Sequence, residues 1–235
     1  MLTFDFKKIN LPPRSKVLDV GCGEGRHIFG ILNEFENVYC YGLDQDIPSL
    51  DKCKEGLEFF KELDSNGTIF QEGSVYQLPF EENFFDLIIC SEVLEHLDDY
   101  HAAIKEIHRV LKPGGKFLPS VPSYWPEKIC WLLSTEYQNM PGGHVRIFRH
   151  SQLKKLALDN GLEYKSFHWA HGLHSPYWWL QCLFWSRKEK SYTVKLYHRF
   201  LVWDLMQNPL LTRILEAILQ PLIGKSLVMY FRKPT

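Results

Sequence analysis

The sequence lacks several features that would assign it to a specialised class of protein. Its six cysteines are scattered without C-x-x-C spacing, and several lie in apolar runs typical of buried strands. This pattern argues against both a zinc ribbon and a disulfide framework. The opening stretch MLTFDFKKINLPPRSK has no apolar core of the kind that a signal peptide requires. These absences favour a reducing, cytoplasmic setting.

Membrane-spanning and nucleic-acid-binding signals are also weak. The segment 166–186 contains no Asp, Glu, Lys or Arg, but histidines, a proline and a glutamine interrupt it, so we predict a buried aromatic region and no membrane span. The net charge is -1 and no recognised RNA-binding motif occurs, so nucleic acid is not a favoured partner. A chain of 235 residues with 45% hydrophobic character is expected to form a single domain.

What the sequence does contain is a regular alternation of β-rich runs and helical stretches. KVLDVG, NVYCYGLD, GTIFQEG and FFDLIIC are predicted strands, and helices are expected over about 26–35, 48–63 and 100–111. A KPGG stop signal precedes a fifth strand, GKFLPSVP, and a helix over HSQLKKLALDNG precedes a sixth, LEYKSFHWA. The pattern predicts a Rossmann-like, doubly wound, mainly parallel α/β sheet.

The C-terminal part is expected to complete this sheet. SLVMYFRKP is the predicted seventh and last strand, placed antiparallel, and a helical aromatic-rich insertion is predicted before it. We therefore predict a cofactor-binding core at 1–171, a helical cap at 172–225 and a terminal strand at 226–233, within one domain at 1–235. The segment after strand five is a second candidate for a helical or irregular insert.

A glycine-rich turn follows the first strand in VLDVGCGEGRH. Such a turn lets backbone amides approach a ligand closely. Its G-x-G-x-G spacing places Arg26 where the dinucleotide fingerprint requires a third glycine, so nicotinamide binding is disfavoured. Asp44 ends the second strand, where a carboxylate can accept both hydroxyls of an adenosine ribose. A helix cap or a solvated charge is the alternative for Asp44.

Five motifs in order resemble those of class I S-adenosylmethionine-dependent methyltransferases, in the branch with ubiquinone and menaquinone biosynthesis enzymes. They are LDVGCGEG, YGLDQD, GSVYQLPF, FDLIICSEVLEHL and LKPGGKFLPSVP, within a resemblance that covers roughly 15–172 and the terminal strand. The resemblance implies S-adenosylmethionine as cofactor. It places Asp19, Gly21 and Gly23 beside the methionine, Asp44 on the ribose, Gln45 beside the adenine, Ser74 and Val75 along the adenine edge, and Ser91 near the methionine end. Many relatives carry Asp at the position of Ser74. A carboxylate would contact the adenine amino group more strongly than the Ser74 hydroxyl does.

The stretch SEVLEHL raises a separate question about a metal. If it is helical, Glu92, Glu95 and His96 point the same way, and His144 would supply a further ligand. Some relatives are similar in having an E-x-x-E-H cluster completed by a distant histidine, which binds a divalent ion. Others carry the stretch as a helix entry and pocket wall, and a metal is not favoured from the sequence. A shared ion requires His144 within about 6 Å of His96.

Histidines are the candidate catalytic bases because imidazole titrates near neutral pH. We predict His96, His144 and His171 in this role. His168, His171 and His174 recur every three residues beside several aromatic side chains. An aromatic core with hydrogen-bonded imidazoles is the alternative explanation for that spacing.

The function expected from these features is methyl transfer from S-adenosylmethionine to a small lipophilic or aromatic acceptor, chiefly to oxygen. A non-catalytic cofactor-binding scaffold and a metal-assisted RNA 2'-O-methyltransferase are the alternatives. Residues 172–235 hold 9 Lys and Arg against 3 Asp and Glu, and this basic, aromatic part suggests peripheral contact with a membrane surface. The sequence makes no prediction of oligomeric state.

Overall fold

The computed structural model describes residues 2–235; residue 1, which falls within the predicted ranges 1–171 and 1–235, lies outside the described part. A seven-stranded sheet has the order β3-β2-β1-β4-β5-β7-β6. The first five strands are parallel, and β7 runs antiparallel between β5 and β6. The strands are β1 Lys16–Val20, β2 Tyr39–Asp44, β3 Ile69–Glu72, β4 Phe85–Ser91, β5 Leu111–Pro122, β6 Glu163–Ala170 and β7 Ser226–Arg232. The predicted α/β sheet with an antiparallel last strand is confirmed.

Helices cover both faces of the sheet. They are α1 Arg26–Glu34, α2 Ile47–Leu57, α3 Tyr100–Val110, α4 Tyr124–Leu133, α5 Thr135–Gln138, α6 His150–Asp159, α7 His174–Leu183, α8 Tyr192–Gln207 and α9 Leu210–Ile223. One apolar cluster packs α3 and α6 against the sheet through residues such as Ile104 and Leu153. A second packs α1 and the N-terminal segment against the opposite face through Ile28 and Phe6. Alternating side chains of each strand serve both clusters, which explains why strands such as β4 are apolar throughout.

Two predicted boundaries differ from the observed ones. The helix expected over about 48–63 ends at Leu57 and continues as a single 3-10 turn over Glu58–Phe60, which stacks the ring of Phe60 on Phe29 at 4.7 Å. The KPGG segment was expected to separate α3 from β5, but β5 begins at Leu111. Backbone hydrogen bonds from Gly114 to Lys233, and from Lys233 to Gly115, hold this segment against the chain beyond β7. The helix therefore ends where the stop signal predicts, and long-range pairing makes the KPGG segment part of β5.

The two predicted inserts are helical and pack on each other. Helices α4 and α5 follow β5, and α7, α8 and α9 lie between β6 and β7. Cys130, Tyr137 and Cys182 form a small buried cluster with four partly buried tryptophans, Trp131, Trp178, Trp179 and Trp185. All six cysteines are buried free thiols. Among residues 2–235, no helix is long and apolar enough to cross a membrane.

Candidate functional site

The turn between β1 and α1 forms the floor of a crevice at the carboxyl edge of the parallel strands. Gly21 and Gly23 have φ values of +69° and +52°, in the left-handed region that favours glycine. A Cβ on Gly21 would lie 2.4 Å from Cγ2 of Val93, so a larger residue cannot be accommodated there without movement. A Cβ on Gly23 would meet nothing within 4 Å. The backbone at Gly23 therefore faces open space.

Asp44, at the end of β2, ties the glycine turn to the neighbouring loop. Its Oδ2 accepts a hydrogen bond from the Gly23 amide at 2.7 Å, and its Oδ1 accepts one from the Asp46 amide at 2.9 Å. A carboxylate has about four acceptor positions, so each oxygen can still accept from a ligand. Asp46, not Asp44, caps α2, because the Asp46 carboxylate accepts the Ser49 amide. The capping alternative for Asp44 is therefore not what the structure shows.

Four of the predicted cofactor residues line this crevice, which has a volume of about 250 Å³: Gly21, Asp44, Gln45 and Val75. The lining also includes Glu92, Val93, His96 and Leu97, which follow β4. Ser74 lies beside Val75, and its Oγ accepts a hydrogen bond from the Tyr76 amide at 3.3 Å. Ser91 is buried at the end of β4, where its hydroxyl pairs with that of Ser120 at 2.9 Å.

Asp19 lies beneath the crevice in the sheet. Its side chain is fully buried, neither carboxylate oxygen has a hydrogen-bond partner within the described chain, and Nδ1 of His27 lies 3.7 Å away. A buried carboxylate without a partner is costly unless a cation or a donor compensates it. Asp19 thus places an unpartnered carboxyl group just before the glycine turn, on the side where the resemblance places the methionine portion.

The stretch after β4 is a turn and not a helix, so the condition under which Glu92, Glu95 and His96 would point the same way is not met. Helix α3 begins only at Tyr100, and Glu92 has a φ of +56°, which interrupts a helical path from Ser91. The Glu92 amide donates to the Ser120 carbonyl at 2.9 Å, and its Oε1 accepts from the Ser120 hydroxyl at 2.9 Å. These two bonds to β5 hold the unusual backbone conformation and direct Glu92 into the crevice wall.

Because the helix does not form, the predicted ligand set changes. Glu95, His96 and His144 each bring one ligand atom within 4.8 Å of the others, whereas Glu92 is not part of this group. The rings of His96 and His144 are 4.9 Å apart, inside the limit set for a shared ion. Nε2 of each imidazole lies 4.0 Å from Oε1 of Glu95. The structure therefore brings together two of the three predicted bases with one of the two predicted carboxylates.

Glu127 of α4 completes this group, although no motif or spacing in the sequence pointed to it. Its Oε1 lies 2.7 Å from Nδ1 of His144, and its Oε2 lies 3.6 Å from Nζ of Lys225. Burial alone would raise the pKa of Glu127, but the His144 hydrogen bond and the Lys225 charge lower it. Burial, followed by the charge of Glu92, raises the pKa of Glu95 well above its usual value. The two carboxylates are thus held in very different electrostatic environments.

The third predicted base, His171, is not part of this group. It has a φ of +65° and lies between β6 and α7, where its Nε2 is 3.3 Å from the Thr3 hydroxyl. Its ring is 5.5 Å from that of His174, and Nε2 of His168 lies 3.3 Å from the Thr3 carbonyl oxygen. Burial lowers the pKa of His171 to about 3. These contacts with the N-terminal segment correspond to the alternative of a packed core.

A second cavity, of about 350 Å³, lies where β5 ends and α4 begins. Its walls are largely apolar and include Trp125, Trp169 and Leu222. Two polar atoms in its lining residues are buried without a hydrogen-bond partner within residues 2–235, Oγ of Ser123 and Nε2 of His150. Neither residue was predicted to belong to a site. In the sequence, only their positions, just after β5 and at the start of α6, could have indicated that they belong to a site.

Comparison with known proteins shows which family the region around this crevice is similar to. Residues 18–118 match the family described as "Methyltransferase domain". The match covers less than half of the chain, and it places a methyltransferase domain at residues 18–118. The "Uncharacterized methyltransferase C1B3.06c" of Schizosaccharomyces pombe is 40% identical over 103 residues, 43% of this chain and 37% of that protein.

Two further comparisons show how much of the chain is similar to known proteins. "Sterol 24-C-methyltransferase erg6" of Schizosaccharomyces pombe is 34% identical over 140 residues, which cover 60% of this chain and 34% of erg6. The crystal structure of the YcgJ protein of Bacillus subtilis shares the fold with a TM-score of 0.65 at 21% identity, over 98% of this chain and 96% of that one. The matched regions span about a third of the length of the two curated relatives.

The family of the methyltransferase domain implies S-adenosylmethionine, and the crevice residues fit this molecule. The open space over Gly23 admits a ligand against the backbone, and Asp44 retains acceptor positions for two ribose hydroxyls. The unpartnered Asp19 carboxylate lies on the side assigned to a positively charged methionine end. Glu92 and His96 line the same crevice and were not predicted as cofactor residues.

Proposed function

We propose that this protein transfers a methyl group from S-adenosylmethionine to an oxygen of a small lipophilic acceptor. The observation that carries the acceptor class is the cavity walled by Trp125, Trp169 and Leu222, because lipophilic ligands bind in clefts lined mainly by apolar and aromatic side chains. Ser120 links this cavity to the cofactor crevice, since it contacts Glu92 and lies three residues before Ser123 on the same chain segment.

The residues around the crevice would hold the two reactants in line. Bound S-adenosylmethionine supplies an electrophilic methyl group, so the protein's main task is to orient the acceptor and exclude water. We propose that Gly21, Gly23, Asp44, Gln45 and Val75 hold the cofactor, with Asp19, Ser74 and Ser91 supporting them from behind. His96, which lines the crevice, is the predicted base closest to the cofactor residues. A hydroxyl proton would therefore be lost toward the group formed by Glu95, His96 and His144.

The sterol-methylating relative suggests carbon as an alternative target, because its name specifies a 24-C position. Its match supports a lipophilic acceptor but gives no support for oxygen. We retain oxygen as the proposed atom because His96 and His144 are placed to accept a hydroxyl proton. Mass spectrometry of the product distinguishes the two, since an ether and a new carbon–carbon bond fragment differently.

Methyl transfer can be tested with radiolabelled S-adenosylmethionine and solvent-extractable acceptors from three classes: sterols, quinols and hydrophobic phenols. We expect label in the organic phase for at least one class. Ser123→Leu, which fills the cavity, should raise KM for the acceptor or abolish transfer while leaving S-adenosylhomocysteine affinity unchanged. Leu158→Ala on the exposed side of α6 is the matched control.

Failure to label any acceptor of these classes, by a protein that binds S-adenosylhomocysteine, would contradict the proposal. That result would favour the non-catalytic scaffold. Transfer to a short RNA instead, with binding that weakens steeply as salt rises, would favour the RNA 2'-O-methyltransferase.

We also propose that α9 rests on an anionic membrane surface. Its apolar residues Leu210, Leu211, Ile214, Leu215, Ile218 and Leu222 are all exposed and recur at helical spacing, so they share one face. Leu211 is 76% exposed and Leu222 71%. The helix is oriented by Glu216, whose carboxylate accepts the amides of Gly172 at 2.7 Å and Leu173 at 2.8 Å on the opposite side. An exposed apolar face of this size is typical of interfacial helices.

The basic residues near α9 and the position of the acceptor cavity both support contact between this apolar face and a lipid surface. Five exposed basic residues accompany α8 and α9: Arg187, Lys190, Lys195, Arg199 and Arg213. Basic residues beside an exposed apolar helix match the headgroups of anionic lipids. Leu222 belongs both to the apolar face and to the lining of the acceptor cavity. A lipophilic acceptor could therefore pass from the membrane into the cavity without crossing water.

Sedimentation with lipid vesicles tests the membrane proposal. We expect binding to phosphatidylcholine vesicles that contain phosphatidylserine, and weaker binding to phosphatidylcholine alone. The double variant Leu211→Glu/Ile214→Glu should bind at least about tenfold more weakly, since two apolar side chains no longer insert. Leu158→Glu, which changes a leucine of α6 that is 45% exposed, should bind as the wild type does.

Equal sedimentation of the α9 double variant and the wild type would contradict the membrane proposal. So would a wild-type dimer that the double variant abolishes, without vesicle binding by either, because the face would then be covered by a second copy. A cytoplasmic location remains part of the proposed function, supported by six unpaired cysteines.

A further inference from the structure

Three side chains beside the cofactor crevice are arranged as the ligands of a single metal ion. Nε2 of His96 and Nε2 of His144 each lie 4.0 Å from Oε1 of Glu95, and the three ligand atoms lie within 4.8 Å of one another. Atoms bound to one ion at about 2.0 to 2.2 Å are separated by about 3 to 4 Å. Side-chain movements of about 1 Å would therefore bring all three atoms onto a common ion.

Both imidazoles present the same nitrogen to this position. Nδ1 of His96 lies 3.1 Å from the Gly143 carbonyl oxygen, and Nδ1 of His144 lies 2.7 Å from Oε1 of Glu127. In each case the partner fixes Nδ1 as the protonated nitrogen and leaves the Nε2 lone pair free. Histidine ligands in metal sites characteristically donate their second nitrogen to a carbonyl or carboxylate in this way. The outer contacts of a metal site are thus already in place.

Glu95 lacks any other explanation for its position. Its side chain is fully buried, neither oxygen has a hydrogen-bond partner among residues 2–235, and 4.0 Å is too long for a hydrogen bond to either imidazole. Nζ of Lys225 lies 3.6 Å from Oε2 of Glu127, and among residues 2–235 no ion pair joins Lys225 to Glu95. A carboxylate buried without a partner costs free energy that a bound cation would offset.

We propose that Glu95, His96 and His144 bind a divalent transition-metal ion of the zinc class. Two imidazoles and one carboxylate form the ligand set of many catalytic zinc sites, and nitrogen ligands favour zinc, cobalt or iron over magnesium and calcium. Three protein ligands leave at least one coordination position for water or a substrate oxygen. Glu127 acts as a positioning residue that orients His144.

An ion at this position would explain how a hydroxyl acceptor is activated. His96 also lines the cofactor crevice, so the open coordination position would lie beside the methyl donor. A hydroxyl bound to a divalent ion loses its proton more readily, which provides the oxygen nucleophile at neutral pH. While the ion is bound, Nε2 of His96 and Nε2 of His144 are ligands, so the proton passes to solvent and not to these imidazoles. This catalytic role rests on the proposed function, whereas binding of the ion itself does not.

The direct test is metal binding by the chelator-treated, full-length protein. Titration with Zn²⁺ in a calorimeter should show one site per chain, and Co²⁺ should give the visible absorption of a low-symmetry site with nitrogen ligands. One equivalent of Zn²⁺ should also raise Tm, because the ion binds the native state preferentially. These readouts do not depend on activity.

Variants separate the proposed ligands from other residues. Glu95→Gln and His144→Asn should each abolish the site, and Glu127→Gln should weaken it by about 10- to 100-fold, as expected for a residue that orients a ligand. His101→Asn, an exposed histidine at the start of α3, is the matched control and should bind like the wild type. Because Glu95 is buried, His144→Asn in the irregular segment before α6 provides the test if Glu95→Gln does not fold.

Absence of a stoichiometric Zn²⁺ or Co²⁺ site in the wild type would overturn the proposal. Unchanged affinity in both Glu95→Gln and His144→Asn would overturn it as well. Calorimetry with S-adenosylhomocysteine on the metal-free protein distinguishes this failure from that of the proposed function. If the protein binds S-adenosylhomocysteine but no metal, the metal proposal fails and the proposed methyl transfer is unaffected. If it binds the metal but not S-adenosylhomocysteine, the proposed methyl transfer fails and the metal proposal is unaffected.

Discussion

At the scale of single residues, two histidines at the entrance to the cap are kept neutral by their surroundings. Burial lowers the pKa of His174 to about 4, and burial followed by the neighbouring His174 lowers that of His171 to about 3. In an unfolded chain both would titrate near 6.5. The folded state therefore cannot bind protons that the unfolded state binds below this pH.

This difference predicts a loss of stability in acid. The contribution of the two neutral imidazoles is complete above about pH 6.5 and falls as the pH decreases toward 4. Thermal unfolding at pH 7.5, 6 and 5 should show Tm falling across this window. His174→Gln should flatten the fall, and the exposed His101→Gln should not. Equal pH dependence in His174→Gln and the wild type would contradict the assignment.

The residues that carry chemistry were predictable to different degrees. Gly21 and Asp44 could be placed from the sequence because both lie at strand ends, where the position along the chain fixes the position in the sheet. Glu127 could not, because it meets His144 only through the packing of α4 against an irregular segment. Ser123 and His150 share a cavity for the same reason. Contacts between distant loops leave no periodic signal in the sequence.

At the scale of elements, the turn after β4 decides the geometry of the site. The spacing of Glu92, Glu95 and His96 would align the three side chains only if SEVLEHL were helical. The positive φ of Glu92 and its two bonds to Ser120 prevent that helix. The carboxylates consequently separate, with Glu92 in the crevice wall and Glu95 beside the imidazoles. Local helical periodicity could not reveal this, because the bonds come from β5.

The turn between β1 and α1 allows a prediction about a single glycine. Gly21→Ala combines an unfavourable positive φ with a Cβ that lies 2.4 Å from Val93. We expect destabilisation by about 2 to 4 kcal/mol, measured by urea unfolding. Gly67→Ala is the matched control, because Gly67 has a φ of +76° and an empty Cβ position. It should lose only about 1 kcal/mol. Equal losses in the two variants would show that the contact with Val93 is unimportant.

At the scale of the whole molecule, the last strand joins the core and the cap. Strand β7 follows α9 directly and inserts between β5 and β6, so the chain returns to the core after the cap. We propose that residues 1–171, 172–225 and 226–233 therefore form one domain. Strand order was predictable in outline from β–α alternation. The packing of α7 on α4 was not, because aromatic residues such as Trp178 and Trp179 fit many helical arrangements.

A single cooperative unfolding transition is the expected consequence of this topology. Five of the seven tryptophans lie at or after Trp169, so tryptophan fluorescence reports mainly on the cap. Far-ultraviolet circular dichroism reports on the whole chain. The two signals should change at the same urea concentration. Separate midpoints, with the fluorescence change at lower urea, would show that the cap unfolds independently of the core.

We propose that the crevice at the ends of β1 and β2 binds S-adenosylmethionine through Asp44, and calorimetry with S-adenosylhomocysteine is the decisive measurement. We predict one site per chain, and Asp44→Ala should weaken binding by roughly 2 to 4 kcal/mol, about 30- to 1000-fold, through lost charge-assisted hydrogen bonds. Asp51→Ala, an exposed residue of α2 paired with Lys54, should bind normally. No binding by the wild type, or equal affinity in Asp44→Ala, would contradict the claim.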